Sequence, residues 1–180
     1  MRGLVLRLAL LALAGGVLSA CGSTRGGGPV MAGSGYEPGG RFLSCVPYAR
    51  QRSGIDLRGD GWQWWEAAAG RYDRSQRPRP GAVLVFRQTG RLRDGHVAVV
   101  SRVLGPREIR VDHANWATGG LRGRVAQDQV VVDVSERNDW SLVRVWYPPI
   151  AAVGNTAFPA YGFIHPTTRW SGAGDPSPDV

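Results

Sequence analysis

Apolar positions along this chain change their spacing three times, and each change marks a different kind of segment. Leu8 to Val17 is an unbroken apolar run. Residues 22 to 40, GSTRGGGPVMAGSGYEPGG, show no periodicity and are rich in glycine, the composition of a flexible linker. From Cys45 to Ser53 the spacing is helical, with Ser44 placed as an N-cap and Gly54 as the stop. Asp60 to Asp73 predicts a second helix. There Trp62, Trp65, Ala68 and Ala69 recur at three and four, and Gly70 supplies a left-handed end. Beyond RPRPG, whose prolines exclude a helix, the period falls to two. Strands are predicted at 82–86, 96–103, 109–116, 130–135, 142–148 and 161–164. Two helices followed by a run of closely connected strands predict an α+β domain: an antiparallel sheet with N-terminal helices packed at one face.

The first segment reads as an address. MRGLVLRLALLALAGGVLSAC has a basic start, an apolar centre too short for a comfortable membrane span and small residues before Cys21. Leu18 to Cys21, LSAC, resembles the bacterial lipoprotein box, in which the cysteine is lipidated and becomes the mature amino terminus. An ordinary signal peptide cut after Ala20 is the alternative. The expected organisation is a signal peptide at 1–20, a linker at 21–40, one domain at 41–166 and a disordered tail at 167–180. The protein is then exported and anchored to the membrane of the cell envelope or periplasm through lipid on Cys21, or secreted if Cys21 carries none. A multiply acylated cysteine holds firmly where one chain binds marginally.

Charge changes the picture little. The chain has no lysine, so its 22 basic residues are all arginine; against 14 acidic residues they give a net charge of +8. Loss of Arg2 and Arg7 with the leader leaves +6. Such a balance suits an anionic envelope, but the arginines are scattered through loops without interleaved aromatics, so a nucleic-acid partner is not expected.

Cysteine use is more informative. With Cys21 lipidated, Cys45 is the single thiol of the mature chain, and the three histidines are His96, His113 and His165. A lone thiol in an exported protein becomes a nucleophile when a base meets it in space. The start of a helix offers unpaired N–H groups that favour a thiolate and hold an oxyanion. Buried inert cysteine and backbone-bonded structural histidine are the plain alternatives. His165, among prolines near the end, carries no catalytic expectation.

Strand periodicity groups the remaining candidates. In IRVDHANW, Val111, His113 and Asn115 share one face. If strands 96–103 and 108–116 form a hairpin in which Val103 faces Glu108, paired numbers sum to 211. His96 then lies opposite Asn115, and Ala98 opposite His113, all on one face. A carboxamide beside His96 accepts its ring N–H and sets the tautomer, which leaves the other nitrogen for Cys45. A one-residue slip would turn both partners away.

The ordered segments SCVPYAR, WQWWEAAAG, PRPGAVLVF, GHVAVV, VDHANW, NDWSLVRVWYP and YGFIHP resemble the CHAP domain, the cysteine, histidine-dependent amidohydrolase/peptidase family. The resemblance spans about residues 41 to 166. It implies a papain-like α+β fold, hydrolysis of amide bonds in peptidoglycan, Cys45 as nucleophile, His96 as base and Asn115 as the polar third member. Where the family often carries glutamate this chain has His113, so the third member is Asn115, His113 or both. No cofactor is implied and a monomer is expected. Zinc on Cys45, His96, His113 and Asp112 is disfavoured, because Asp112 and His113 point to opposite faces and no closely spaced ligand pair exists. Two other readings stay open: an inactive envelope binding or scaffolding lipoprotein, and a secreted toxin or effector amidase.

Overall fold

The structure, a computed structural model, describes residues 35–36, 42–116 and 122–167. The leader, Cys21, most of the linker stretch and the tail beyond residue 167 lie outside the described residues. Nine strands run through the domain: β1 (Gly35–Tyr36), β2 (Asp73–Ser75), β3 (Val83–Phe86), β4 (His96–Gly105), β5 (Glu108–Ala114), β6 (Val125–Asp133), β7 (Leu142–Tyr147), β8 (Ala152–Val153) and β9 (Phe158–His165). Helices α1 (Cys45–Ser53) and α2 (Trp64–Ala67) precede most of them.

The strands do not form an open sheet under helices. In the order β6, β5, β4, β3, β9, β7 each pairs antiparallel with the next, and β7 pairs back onto β6 through Val131↔Val145 and Asp133↔Val143. The result is a closed six-stranded barrel. The expected papain-like α+β architecture, N-terminal helices packed on an antiparallel sheet, is therefore incorrect. Local alternation cannot distinguish the two, because an inward apolar face is needed whether it meets a helix or the opposite wall of a barrel. Closure also leaves the six barrel strands few free edges.

Strand parity separates two cores. Leu84, Phe86, Ala98, Val100, Ile109 and Val111 point inward and fill the barrel with Trp140 and Phe163. The alternate residues Val83, Val85, Val97 and Val99 point outward, where Ala49 of α1, Trp64 of α2, Ile55 and Leu57 cover them. β3 and its neighbour β4 are thus buried on both sides, which explains the continuous apolar reading of VLVF and HVAVV.

Helix α1 has the expected ends. Ser44 takes an extended N-cap conformation and Gly54 closes the helix at φ +75°. The second helix is shorter than the periodicity of 60–73 predicts. Gly61–Gln63 is a 3₁₀ turn, α2 has four residues, and Gly70 sits at φ +70°. The tighter turn rotates the tryptophans, so Trp64 is fully buried while Trp62 and Trp65 are half-buried. Trp65 stacks on Tyr161 at 5.7 Å.

The β4–β5 hairpin matters most for the site. Val99↔Asp112 and Val100↔Val111 obey the sum of 211, but beyond one bulge the pairs are Arg102↔Arg110 and Val103↔Ile109, and beyond a second register shift Gly105↔Glu108. Val103 does not face Glu108. The two shifts absorb that difference, so the register near the histidines is the expected one even though the turn is not.

Candidate active site

His96 opens β4 and His113 lies near the end of β5, both with inward parity, so both reach the same mouth of the barrel. Their rings meet there: His96 Nε2 and His113 Nδ1 are 3.1 Å apart in a buried hydrogen bond. The two side chains are almost fully enclosed, at 3% and 1% exposure. Trp116 packs on both, 4.8 Å from the His96 ring and 5.5 Å from that of His113, while Phe86 meets His96 edge-on. His96 therefore has little freedom to rotate.

Burial dominates the electrostatics of the pair. Desolvation holds His96 well below the ordinary imidazole value of 6.5, and the neighbouring His113 adds to the effect. Desolvation brings His113 down to about 3. Both rings are neutral at neutral pH. One proton lies between them. If it is carried on His96 Nε2, His113 accepts at Nδ1 and carries its own proton on Nε2, a buried atom with no hydrogen-bond partner among the described residues.

Cys45 is a free cysteine and the first residue of α1. Its pKa lies above the ordinary thiol value of 9.0. Burial raises it most and Asp94 raises it further, whereas the backbone N–H groups of Val97, Val46 and Cys45 itself act the other way by favouring the thiolate. Val97 follows His96 in β4, so the sulfur sits against the strand that carries the histidine. The resting pair is a neutral thiol beside a neutral imidazole, in contrast to a preformed thiolate–imidazolium pair.

Cys45, His96 and Asn115 line one cavity of about 440 Å³, together with Trp116, Asp94 and Gly61. Asn115 reaches this cavity differently from the sequence expectation. Its φ of +60° breaks the strand alternation, and its Oδ1 accepts the Gly123 N–H at 2.9 Å. Its backbone N–H donates to the Arg124 carbonyl. The group bonded to His96 is His113. Asp112, on the opposite face of β5, is bound by Arg52 of α1 and by the Asp128 N–H, so its carboxylate is committed outside the barrel mouth. His165 lies elsewhere, bonded to Ser75 at 2.7 Å.

Several residues that build the site carry no chemical signal in the sequence. Gly61 lies so close to β4 that a Cβ there would be 2.9 Å from the His96 backbone nitrogen. Gly95, at φ +62°, would bring a Cβ within 2.6 Å of the Trp62 nitrogen. These two glycines let the 3₁₀ turn press directly on the start of β4, and that contact sets the height of His96 relative to α1. Leu43, two residues before Cys45, donates its N–H to the Gly123 carbonyl at 2.8 Å, so the residue bonded to Asn115 also holds the approach to the nucleophile candidate. The glycines were visible as letters, but their contacts are long-range.

The family model described as CHAP domain matches residues 35–115. That span begins at β1, contains Cys45, His96 and His113, and ends on Asn115. That match suggests a peptidoglycan-hydrolase or amidase-type function. No curated protein matches the chain. No described helix is long and apolar enough to cross a membrane.

Proposed function

We propose that the protein is an exported cysteine amidase or endopeptidase that hydrolyses amide bonds in peptidoglycan, tethered to the membrane through Cys21. The observation that carries this reading is the cavity at the barrel mouth, where Cys45 and a His96 held by His113 face the same space.

In the mechanism, the Cys45 sulfur attacks the amide carbonyl as its proton passes to the free ring nitrogen of His96. The carbonyl oxygen, now negative, is held by backbone N–H groups at the start of α1. Imidazolium on His96 donates Nε2–H to neutral His113, which orients the ring. His96 returns the proton to the departing amine, and the C–N bond breaks to leave a thioester on Cys45. Water then loses a proton to His96 and attacks the thioester; the C–S bond breaks, the acid product leaves and His96 returns the proton to sulfur, which restores the thiol. Because neither group is charged at rest, proton transfer accompanies attack. His113 stabilises the imidazolium through a neutral acceptor, less than a carboxylate would.

Mass spectrometry of purified peptidoglycan treated with wild type and with Cys45→Ala tests the reading. New amine and carboxyl termini are expected with wild type alone. Identical, undigested wall in both would remove the peptidoglycan assignment.

The raised thiol and the neutral histidine pair also favour a second reading, an envelope scaffolding protein that keeps the cavity and has lost turnover. That reading gains if the wall stays intact while Cys45→Ala still binds it.

A further inference from the structure

The cavity at Cys45 continues into a second one of about 400 Å³. The two share Arg91, Leu92 and Trp116, so together they form one cleft running away from the nucleophile candidate. The far half is mainly apolar, walled by Val145, Ile150 and Phe158 with Asn155 and Thr156 beside them. The near half carries charge: Arg91, Arg93 and Arg122 against Asp60 and Asp94.

What sets Arg91, Arg93 and Arg122 apart is that they line the cavity; among the described residues Arg58, Arg77, Arg79 and Arg144 lack an ion pair as they do. Seven arginines elsewhere, including Arg50, Arg52 and Arg102, form ion pairs with acids. Among the described residues, Arg91, Arg93 and Arg122 have no carboxylate within ion-pairing distance, although two carboxylates line the same cavity. The loop that presents two of them is braced: Gln88 donates to the Arg93 carbonyl at 2.6 Å, and Thr89 exchanges hydrogen bonds with Leu92. Guanidinium groups held on an ordered loop and left without an internal anion are suited to bidentate capture of a carboxylate.

The geometry points to an acidic peptide as the occupant of this cleft: a chain whose carboxylate, close to the scissile amide, is bound by Arg91 with Arg93 and Arg122, and whose apolar part lies against Trp116 and Phe158. This inference rests on the proposed amide-hydrolase site for the placement of the scissile bond, and it names the substrate class that site selects. Asp60 and Asp94 sharpen the choice, since they repel an anion placed on the wrong side of the cleft.

Binding separates this inference from turnover. Full-length Cys45→Ala protein is titrated with two synthetic tetrapeptides of alanine and glutamate, one with all carboxylates free and one with all converted to carboxamides. Tryptophan fluorescence and calorimetry report affinity. The free-acid peptide is expected to bind about tenfold or more tightly than the amide, with an advantage that falls as salt rises. Adding Arg91→Ala is expected to remove most of that advantage. Arg144→Ala, which deletes the same charge from an exposed position on β7 outside the cleft, is expected to leave it within about twofold. Equal binding of the two peptides, undetectable binding of both, or equal effects of Arg91→Ala and Arg144→Ala would overturn the inference. Digestion of peptidoglycan by wild type is measured separately, so its failure removes the proposed reaction and leaves the binding result standing.

Discussion

His96 Nε2 meets His113 Nδ1 at 3.1 Å, and the oxygen of Asn115 is engaged elsewhere, with the Gly123 N–H. The two residues that the sequence left as rivals for one role thus occupy different ones. His113 bonds the proposed base, and Asn115 bonds Gly123.

Their variants should separate accordingly. His113→Ala removes the acceptor for His96 Nε2–H and is expected to lower kcat about 10- to 100-fold. His113→Gln, whose oxygen accepts the same bond, should recover part of the loss. His113→Glu supplies a carboxylate that favours imidazolium, so the acid limb of the pH–rate profile should move to higher pH. Asn115→Ala removes the bond to Gly123 and should lower thermal stability without moving that limb. Peptidoglycan kinetics across pH check the set, and an unmoved limb in His113→Glu would count against the assigned role.

The thiol itself gives a second measurement. Burial and Asp94 raise the Cys45 pKa above 9.0, so iodoacetamide labelling should be slow at neutral pH and climb through the alkaline range. Asp94→Asn removes a negative charge that opposes thiolate formation, and its labelling midpoint should fall. Mass spectrometry of the Cys45 peptide over a pH series reads both. Fast labelling of wild type below neutral pH would mean that the resting pair is ionised.

Acid stability follows from the buried histidines. Above pH 6.5 His113 is neutral whether the chain is folded or unfolded, and it contributes no pH dependence. Between 6.5 and about 3 the unfolded chain takes up a proton that the folded site refuses, so stability should fall as pH falls through that window. His96 acts in the same direction. Urea midpoints at several pH values should show a shallower decline in His113→Gln than in wild type.

Two glycines provide a steric contrast. A Cβ at Gly61 would press on the His96 backbone at 2.9 to 3.0 Å, whereas one at Gly54 meets open space but must adopt φ +75°. Gly61→Ala should cost about 1–3 kcal/mol and also reduce kcat, because relief of the clash displaces His96. Gly54→Ala should cost about 1 kcal/mol at the end of α1 and leave kcat near wild type. Chemical denaturation with parallel kinetics distinguishes them.

Much of this molecule is legible in its order of residues. The start of α1 at Cys45, its stop at Gly54 and four of the six barrel strands follow from caps, period-two alternation and prolines, which are local effects; of β9 (Phe158–His165) the predicted 161–164 covers half. The predicted strand 130–135 recovered only the second half of β6, because Gln127, Asp128 and Gln129 interrupt its apolar pattern. The pairing of His96 with the end of β5 was also reachable, through a register argument that a bulge happened to preserve. What the sequence by itself determined, then, is which residues alternate and therefore which side chains share a face. Only the tertiary structure decided that β7 returns to β6 and closes a barrel, that a positive φ turns Asn115 toward Gly123, and that Gly61 seats the 3₁₀ turn on His96. Those outcomes depend on contacts between residues far apart in the chain, and on backbone angles that no local pattern encodes.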